Sequence, residues 1–138
     1  MNDHTQMEAA KKGIVTDEMR KVAQKEHLDE KVILARVAAG TIAIPANKNH
    51  KALDPNGVGE GLRTKVNVNL GISGDLKDYD VEMQKVDLAL KFGAEAIMDL
   101  SNYGKTREFR EKLIEKSPAM NCLERLLKGK AKTILLFL

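Results

Sequence analysis

Between Thr64 and Glu115 the apolar residues change period three times, and this succession restricts the fold more than any other feature of the chain. Thr64–Leu70 (TKVNVNL) alternates, as a strand with one face turned inward does. Gly71 to Lys77 is rich in turn residues. From Tyr79 to Phe92 the period becomes helical, with Val81, Val86, Leu88, Ala89, Leu90 and Phe92 as the apolar positions and Gly93 as the cap. Ala94–Leu100 (AEAIMDL) reads as a second, buried strand. Ser101–Gly104 turns the chain, and Thr106–Glu115 is a second amphipathic helix with Phe109, Leu113 and Ile114 inward. Strand, helix, strand, helix at this spacing is a βαβα unit, with parallel strands joined by right-handed crossovers. Two parallel strands do not stand alone. The pattern therefore predicts an α/β fold, the opening of a barrel or wound sheet, with the second strand's outer edge unpaired.

The residues before this unit read differently. Short helices are predicted at Thr5–Lys12, at Asp17–Glu26 with Thr16 as N-cap, and at Asp29–Ala39 with Gly40 as stop. Thr41–Ile44 is a short strand ended by Pro45, and Ala46–Arg63 is a long polar loop. The expected organisation is an N-terminal helical region with its loop (1–63), two βα units (64–118) and a distinct tail (119–138). With 138 residues and 43% hydrophobic content, the whole is the size of one ordinary domain. The longest apolar run, Ile134–Leu138, is far shorter than the roughly 20 residues that span a bilayer. The N-terminus has no apolar run of the signal-peptide kind, so a cytoplasmic protein with no membrane partner is expected.

Candidate chemistry is sparse. The one cysteine, Cys122, excludes a disulfide framework or a multi-cysteine metal site built by these residues alone. His4, His27 and His50 are widely spaced and match no metal-ligand pattern; His50, among Asn47, Lys48 and Asn49, reads as a surface-loop residue. Gly57-Val-Gly-Glu-Gly61 has the glycines of a phosphate loop without its Lys-Ser/Thr or a clear preceding strand. Asn67 and Asn69 lie two apart on the first strand and so share a face. Mid-strand amides call for a hydrogen-bonding partner. Asn69 and Met98 fall at the C-terminal ends of their strands, where barrel enzymes line their sites. Asp99, next to Met98, points the other way.

Several segments resemble one family. Thr5-Gln-Met-Glu-Ala-Ala-Lys-Lys-Gly-Ile14, Ile44-Pro-Ala-Asn-Lys-Asn-His50, Gly59-Glu-Gly-Leu-Arg-Thr-Lys-Val-Asn-Val-Asn-Leu-Gly71, Ala94-Glu-Ala-Ile-Met-Asp-Leu-Ser101 and the step Ser117-Pro118 are similar to phosphomethylpyrimidine synthase, the ThiC family of radical S-adenosylmethionine enzymes. The likeness runs from about Thr5 to Met120. It implies a (β/α)8 barrel of which this chain holds the first two units. It also implies a carbon–carbon lyase of thiamine biosynthesis that converts 5-aminoimidazole ribotide to hydroxymethylpyrimidine phosphate. By the same resemblance the cofactors are S-adenosylmethionine, a 4Fe–4S cluster on three cysteines, and zinc, and the assembly is a homodimer. The family's substrate contacts map onto Asn69 and Met98.

After Met120 the likeness stops. The family continues with a third barrel strand, of the form G-T-V-P, whose Tyr also contacts substrate. Here the sequence runs Asn-Cys-Leu-Glu-Arg-Leu-Leu-Lys-Gly, as an out-of-frame reading would. The expectation is an N-terminal fragment that lacks the cluster and zinc ligands, is inactive alone, and associates or aggregates through its open edge. The competing reading is a small non-enzymatic binding module. Gly104–Lys132 carries nine Lys and Arg against four Glu, which would suit an anionic partner. The helix pair 17–26 and 29–39 offers only Lys31 and Arg36 on its second helix, so nucleic acid is not the expected partner.

Overall fold

The computed structural model describes residues 5–75, 77–126 and 133–137, in two compact units. The first unit comprises Met1–Pro45 and Pro55–Thr64. It holds helices α1 (Gln6–Lys11), α2 (Asp17–Glu26) and α3 (Glu30–Ala39) and the two-residue strands β1 (Ile42–Ala43) and β2 (Val58–Gly59). Each helix starts where a side chain satisfies a free amide. Thr5 forms a capping box with Glu8, Thr16 accepts from the Met19 N–H, and Asp29 accepts from the Lys31 N–H. Such a cap contributes about 1 kcal/mol. His27 ends α2 in the left-handed conformation, φ 55°, and the Leu28 N–H closes back onto the Ala23 carbonyl. The core is Met19, Val22, Ala23, Ile33, Val37, Ile42 and Ile44.

The glycines after Asn56 belong to this packing rather than to a phosphate loop. β2 pairs antiparallel with β1, Ile42 opposite Gly59. Gly59 has φ 148°, and a Cβ there would come within 2.1 Å of the Thr41 carbonyl oxygen. Pro55, Asn56 and Gly57 are buried, and Lys25 donates to the Pro55 carbonyl at 2.9 Å. The stretch 46–63 is therefore not one open loop. Its second part is pinned into the first unit, and residues 46–54 belong to the second.

The second unit, Ala46–Asp54 and Lys65–Leu138, is built on β3 (Asn67–Leu70), α4 (Tyr79–Lys91), β4 (Ala96–Asp99), α5 (Thr106–Lys116), β5 (Met120–Leu126) and β6 (Thr133–Phe137). The strand order is β3-β4-β5-β6. The first three strands are parallel and β6 is antiparallel to β5. The predicted βαβα succession is present, each element within a few residues of its expected bounds. The predicted open edge on the second strand is not. β5 pairs along β4, with Ala96 opposite Met120 and Met98 opposite Cys122. The reason is physical. Ser117–Pro118 ends α5, the crossover returns the chain beside β4, and strand pairing needs only backbone groups and a tolerable alternation. Met120 and Cys122 supply buried residues on one face.

Leu70, Val86, Ile97, Phe109, Leu113 and Ala119 form the second core, with the Tyr79 ring tilted against Phe109 at 6.0 Å between centroids. Two of the apolar positions between Tyr79 and Phe92 do not face inward. Leu88 and Phe92 are 53% and 83% exposed, because α4 seats Val86 and Ala89 on the sheet and turns the i, i+4 pair Leu88/Phe92 outward. His50 also departs from expectation. It is buried, with its Nε2–H donating to the Ser117 carbonyl at 2.6 Å, while the Asp54 N–H donates to the Pro118 carbonyl at 2.9 Å. The acceptor is a carbonyl, so the proton sits on Nε2. The loop 46–54 is thus clamped to the turn that launches β5.

Asn121 is buried with both amide atoms lacking a protein partner among the described residues. An unsatisfied buried amide costs about 1–3 kcal/mol. Asn121→Val is expected to stabilise the protein by about 1 kcal/mol, seen as a higher urea midpoint with an unchanged slope; a lower midpoint would mean that the amide has a partner.

Candidate functional site

In the parallel ladder Asn69 is the Cα partner of Met98, and Met98 is the partner of Cys122. Directly opposed residues in a parallel sheet present their side chains to the same face. Asn69, Met98 and Cys122 therefore form one row across β3, β4 and β5. Asn67, Ala96 and Met120 form the row below. The other face carries Leu70 and Ile97, which sit in the core under α4 and α5. The candidate site residues thus lie on the face away from these helices. Asn69 is exposed, Met98 half-buried and Cys122 buried. The Asn67 Nδ2–H donates to Asn69 Oδ1 at 2.9 Å, which turns the Asn69 Nδ2 group away from its neighbour.

What keeps these strand ends level is a set of buried polar contacts just beyond them. Asp99 is fully buried on the helix side. Its Oδ2 accepts from Arg110 Nε at 2.5 Å, and its Oδ1 accepts from the Ser101 N–H at 2.8 Å. Arg110 Nη2 also donates to the Ser101 carbonyl at 3.2 Å. Ser101 Oγ in turn accepts from the Ile72 N–H at 3.0 Å, joining the loop after β4 to the loop after β3. Glu82, buried on α4, accepts from the Gly71 N–H at 2.9 Å. Gly71 has φ 155°, and a Cβ there would lie 2.6 Å from the Ser101 nitrogen. Only glycine lets the two loops approach this closely.

The two residues expected from sequence are brought together, and Asp99 points away from them as alternation required. Cys122 was not expected in the row. Its place follows from β5 pairing parallel with β4, which the departure from the family pattern conceals. Burial pushes the Cys122 thiol pKa up, so at neutral pH it is a neutral sulfhydryl and a poor nucleophile or metal ligand.

A three-strand parallel sheet with helices on one face and polar groups at the carboxyl ends of its strands is the layout of α/β proteins that bind small molecules at those ends. Comparison with known proteins is more specific. Residues 5–122 match the Radical SAM ThiC family, and the chain belongs to it. It is 63% identical over 120 residues to the phosphomethylpyrimidine synthase of Alkaliphilus metalliredigens. It is 65% identical over 116 residues to that of Campylobacter jejuni strain 81-176, and 62% identical over 120 residues to that of Clostridioides difficile. These alignments cover 87%, 84% and 87% of the chain. The chain spans only 27–28% of those relatives' lengths.

The family implies S-adenosylmethionine and an iron–sulfur cluster, and the residues present do not fit the cluster. Iron–sulfur clusters are held by several cysteine thiolates, and the 138 residues hold one cysteine, buried and protonated. Among the described residues no group of three His, Cys, Asp or Glu side chains could hold a metal ion. No step is therefore assigned through that group.

Asp99→Asn keeps the size but removes the charge facing Arg110, and is expected to destabilise the second unit by about 3 kcal/mol, the scale of a broken buried pair; a denaturant midpoint within error of the parent would contradict the arrangement. Cys122 is expected to react with iodoacetamide at pH 8 at least about tenfold more slowly in the native chain than in urea, because both burial and the raised pKa hold back the thiolate.

Proposed function

We propose that these residues form the opening part of a phosphomethylpyrimidine synthase barrel and supply one wall of its substrate site. On this reading β3–α4 and β4–α5 are the first two βα units of a (β/α)8 barrel, and the row Asn69–Met98 faces its interior. The observation that carries it is the coincidence of high identity with one shared register. The two residues that the resemblance assigns to substrate are Cα partners on the helix-free face.

Their chemistry suits 5-aminoimidazole ribotide. The Asn69 amide both donates and accepts hydrogen bonds, and can read a polar imidazole and its amino group. Met98 gives a soft, polarizable wall against the ring. The pair binds and orients; it moves no proton. The reaction proposed for the complete protein is the rearrangement of this ribotide to hydroxymethylpyrimidine phosphate in thiamine biosynthesis, a carbon–carbon lyase chemistry. The 4Fe–4S cluster and zinc would be held by residues outside these 138, the assembly would be a homodimer, and the compartment the cytoplasm. Among the described residues no helix is long and apolar enough to cross a membrane. A nucleic-acid-binding reading is disfavoured by Arg36, one of the two cations it needs, whose Nη1 donates to the Glu60 carbonyl at 2.7 Å.

The test is a chimera of residues 5–119 joined to the part of the Alkaliphilus relative that follows the match. After anaerobic reconstitution with iron, sulfide and S-adenosylmethionine, the chimera is expected to form hydroxymethylpyrimidine phosphate and the 138-residue chain to form none. Asn69→Ala and Met98→Ala in the chimera are each expected to lower kcat/KM about tenfold or more, or about 1.4 kcal/mol of transition-state stabilisation. Turnover by the 138-residue chain alone, or an unchanged kcat/KM in both variants, would overturn the reading.

A further inference from the structure

We infer that Asn67 is a positioning residue for the candidate site: it fixes which way round the Asn69 amide is presented, so that Asn69 meets its ligand as a hydrogen-bond donor. The inference rests on the reading that Asn69 contacts substrate. A terminal amide has two nearly equivalent positions related by a half-turn, one with its oxygen forward and one with its nitrogen forward. An asparagine that recognises a ligand must be held in one of them, or the wrong group is offered as often as the right one.

Asn67 makes this choice. The two residues stand two apart on β3 and share the helix-free face. The Asn67 Nδ2–H donates to Asn69 Oδ1 at 2.9 Å. Among the described residues no other protein group is hydrogen-bonded to either side-chain amide. The neighbouring strands explain why. Asn67 is the Cα partner of Ala96 and Ala96 of Met120, while Asn69 leads across to Met98 and Cys122. These four neighbours are aliphatic or carry sulfur, so each asparagine finds its strong hydrogen-bonding partner in the other. Ala96 reaches no further than Cβ and leaves Asn67 room to lean along the strand toward Asn69.

The bond gives the site a direction. Asn67 occupies one lone pair of Asn69 Oδ1. Turning the Asn69 amide over would set one NH2 group against the other unless Asn67 turned as well. In the arrangement present, the Asn69 Nδ2 protons are the uncommitted side of the amide, and that side is a donor. It matches an acceptor atom of the ligand, such as the lone-pair nitrogen of an imidazole ring, and not an amino group. Asn67 itself lies two residues back from the strand end occupied by Asn69, about 6.6 Å of strand rise, and acts through its neighbour.

The test is a double-mutant cycle in the chimera. Asn67→Ala removes the donor and lets the Asn69 amide turn freely; kcat/KM is expected to fall about threefold. Asn67→Asp keeps the shape but only accepts. It draws Asn69 Nδ2 toward itself with a charge-assisted bond and turns the oxygen forward, so kcat/KM is expected to fall about tenfold or more. Both losses are expected in KM, with kcat within about twofold of the parent, because Asn69 binds and orients. The opposite order, alanine worse than the isosteric aspartate, is what a residue that only fills space would give, and would overturn the inference. In the Asn69→Ala background neither substitution should lower kcat/KM further by more than about twofold. That comparison also separates turning of the amide from repulsion between the new carboxylate and a phosphorylated substrate. If Asn69→Ala lowers kcat/KM and Asn67→Asp lowers it again by its full factor, the positioning role fails and the substrate wall stands. A second measurement needs no turnover. In the 138-residue chain Asn67→Asp should move one Asn69 Nδ2 proton resonance downfield and slow its exchange with water about threefold. Unmoved Asn69 amide protons would overturn the inference whether or not the chimera is active. Moved protons with an inactive chimera would leave the orientation standing and count against the proposed function.

Discussion

A fully buried carboxylate fixes the register on which the second unit depends. Asp99 ends β4 with one oxygen on the Arg110 guanidinium and the other on the Ser101 amide. An unpaired charge in that position would be prohibitively costly. It is tolerated because α5 delivers Arg110 to the same point, and the pairing specifies as much as it stabilises. A slip of β4 by one residue would carry Asp99 to the helix-free face, away from Arg110, and turn Met98 onto the helices. The same alternation that hides Asp99 presents Met98. The placement of a soft apolar wall in the candidate site is therefore enforced by an ion pair on the other side of the sheet.

From Asp99 the constraint spreads to the neighbouring strand. Ser101 is held by both Asp99 and Arg110, and its hydroxyl takes the Ile72 amide. Gly71 lies close enough to the Ser101 nitrogen that no side chain fits between them. Glu82, from α4, holds the Gly71 amide. Two crossover connections that could each wander are thus tied into one rim, and Asn69 and Met98 share a level because their following loops share hydrogen bonds.

Much of this was legible in the chain. The alternation of TKVNVNL, the helical period of Tyr79–Phe92 and the capping residues Thr5, Thr16 and Asp29 predict the elements within a few residues. One crossover is enough to put Asn69 beside Met98. What escaped reading has physical causes. Leu88 and Phe92 are apolar but lie on the flank of α4, and composition cannot say that a flank is uncovered. His50 stands among polar residues and reads as surface, yet one carbonyl 67 residues away buries it. The glycines at 57, 59 and 61 resemble a ligand loop because close approach to a phosphate and close approach to another backbone make the same steric demand. The Asp99–Arg110 pair joins residues 11 apart, on a strand end and a helix flank, a relation that periodicity alone does not pick out.

β5 separates what a fold requires from what a site requires. The family match ends at residue 122, inside β5, yet the strand pairs with β4 in register over Ala96–Asp99. Parallel pairing uses N–H and C=O groups that every residue but proline carries, and a modest alternation of buried side chains completes it. The strand position therefore survives a change of sequence. The row Asn69–Met98–Cys122 does not enjoy the same tolerance. Its third member is defined by a side chain, and a buried thiol with its pKa pushed up by desolvation neither accepts a strong hydrogen bond nor binds a metal as thiolate. The hydroxyl that the family resemblance expects from this strand has no equivalent in Cys122. The backbone of β5 thus continues the parallel ladder, while the side chain that it adds to the row is a buried, neutral thiol.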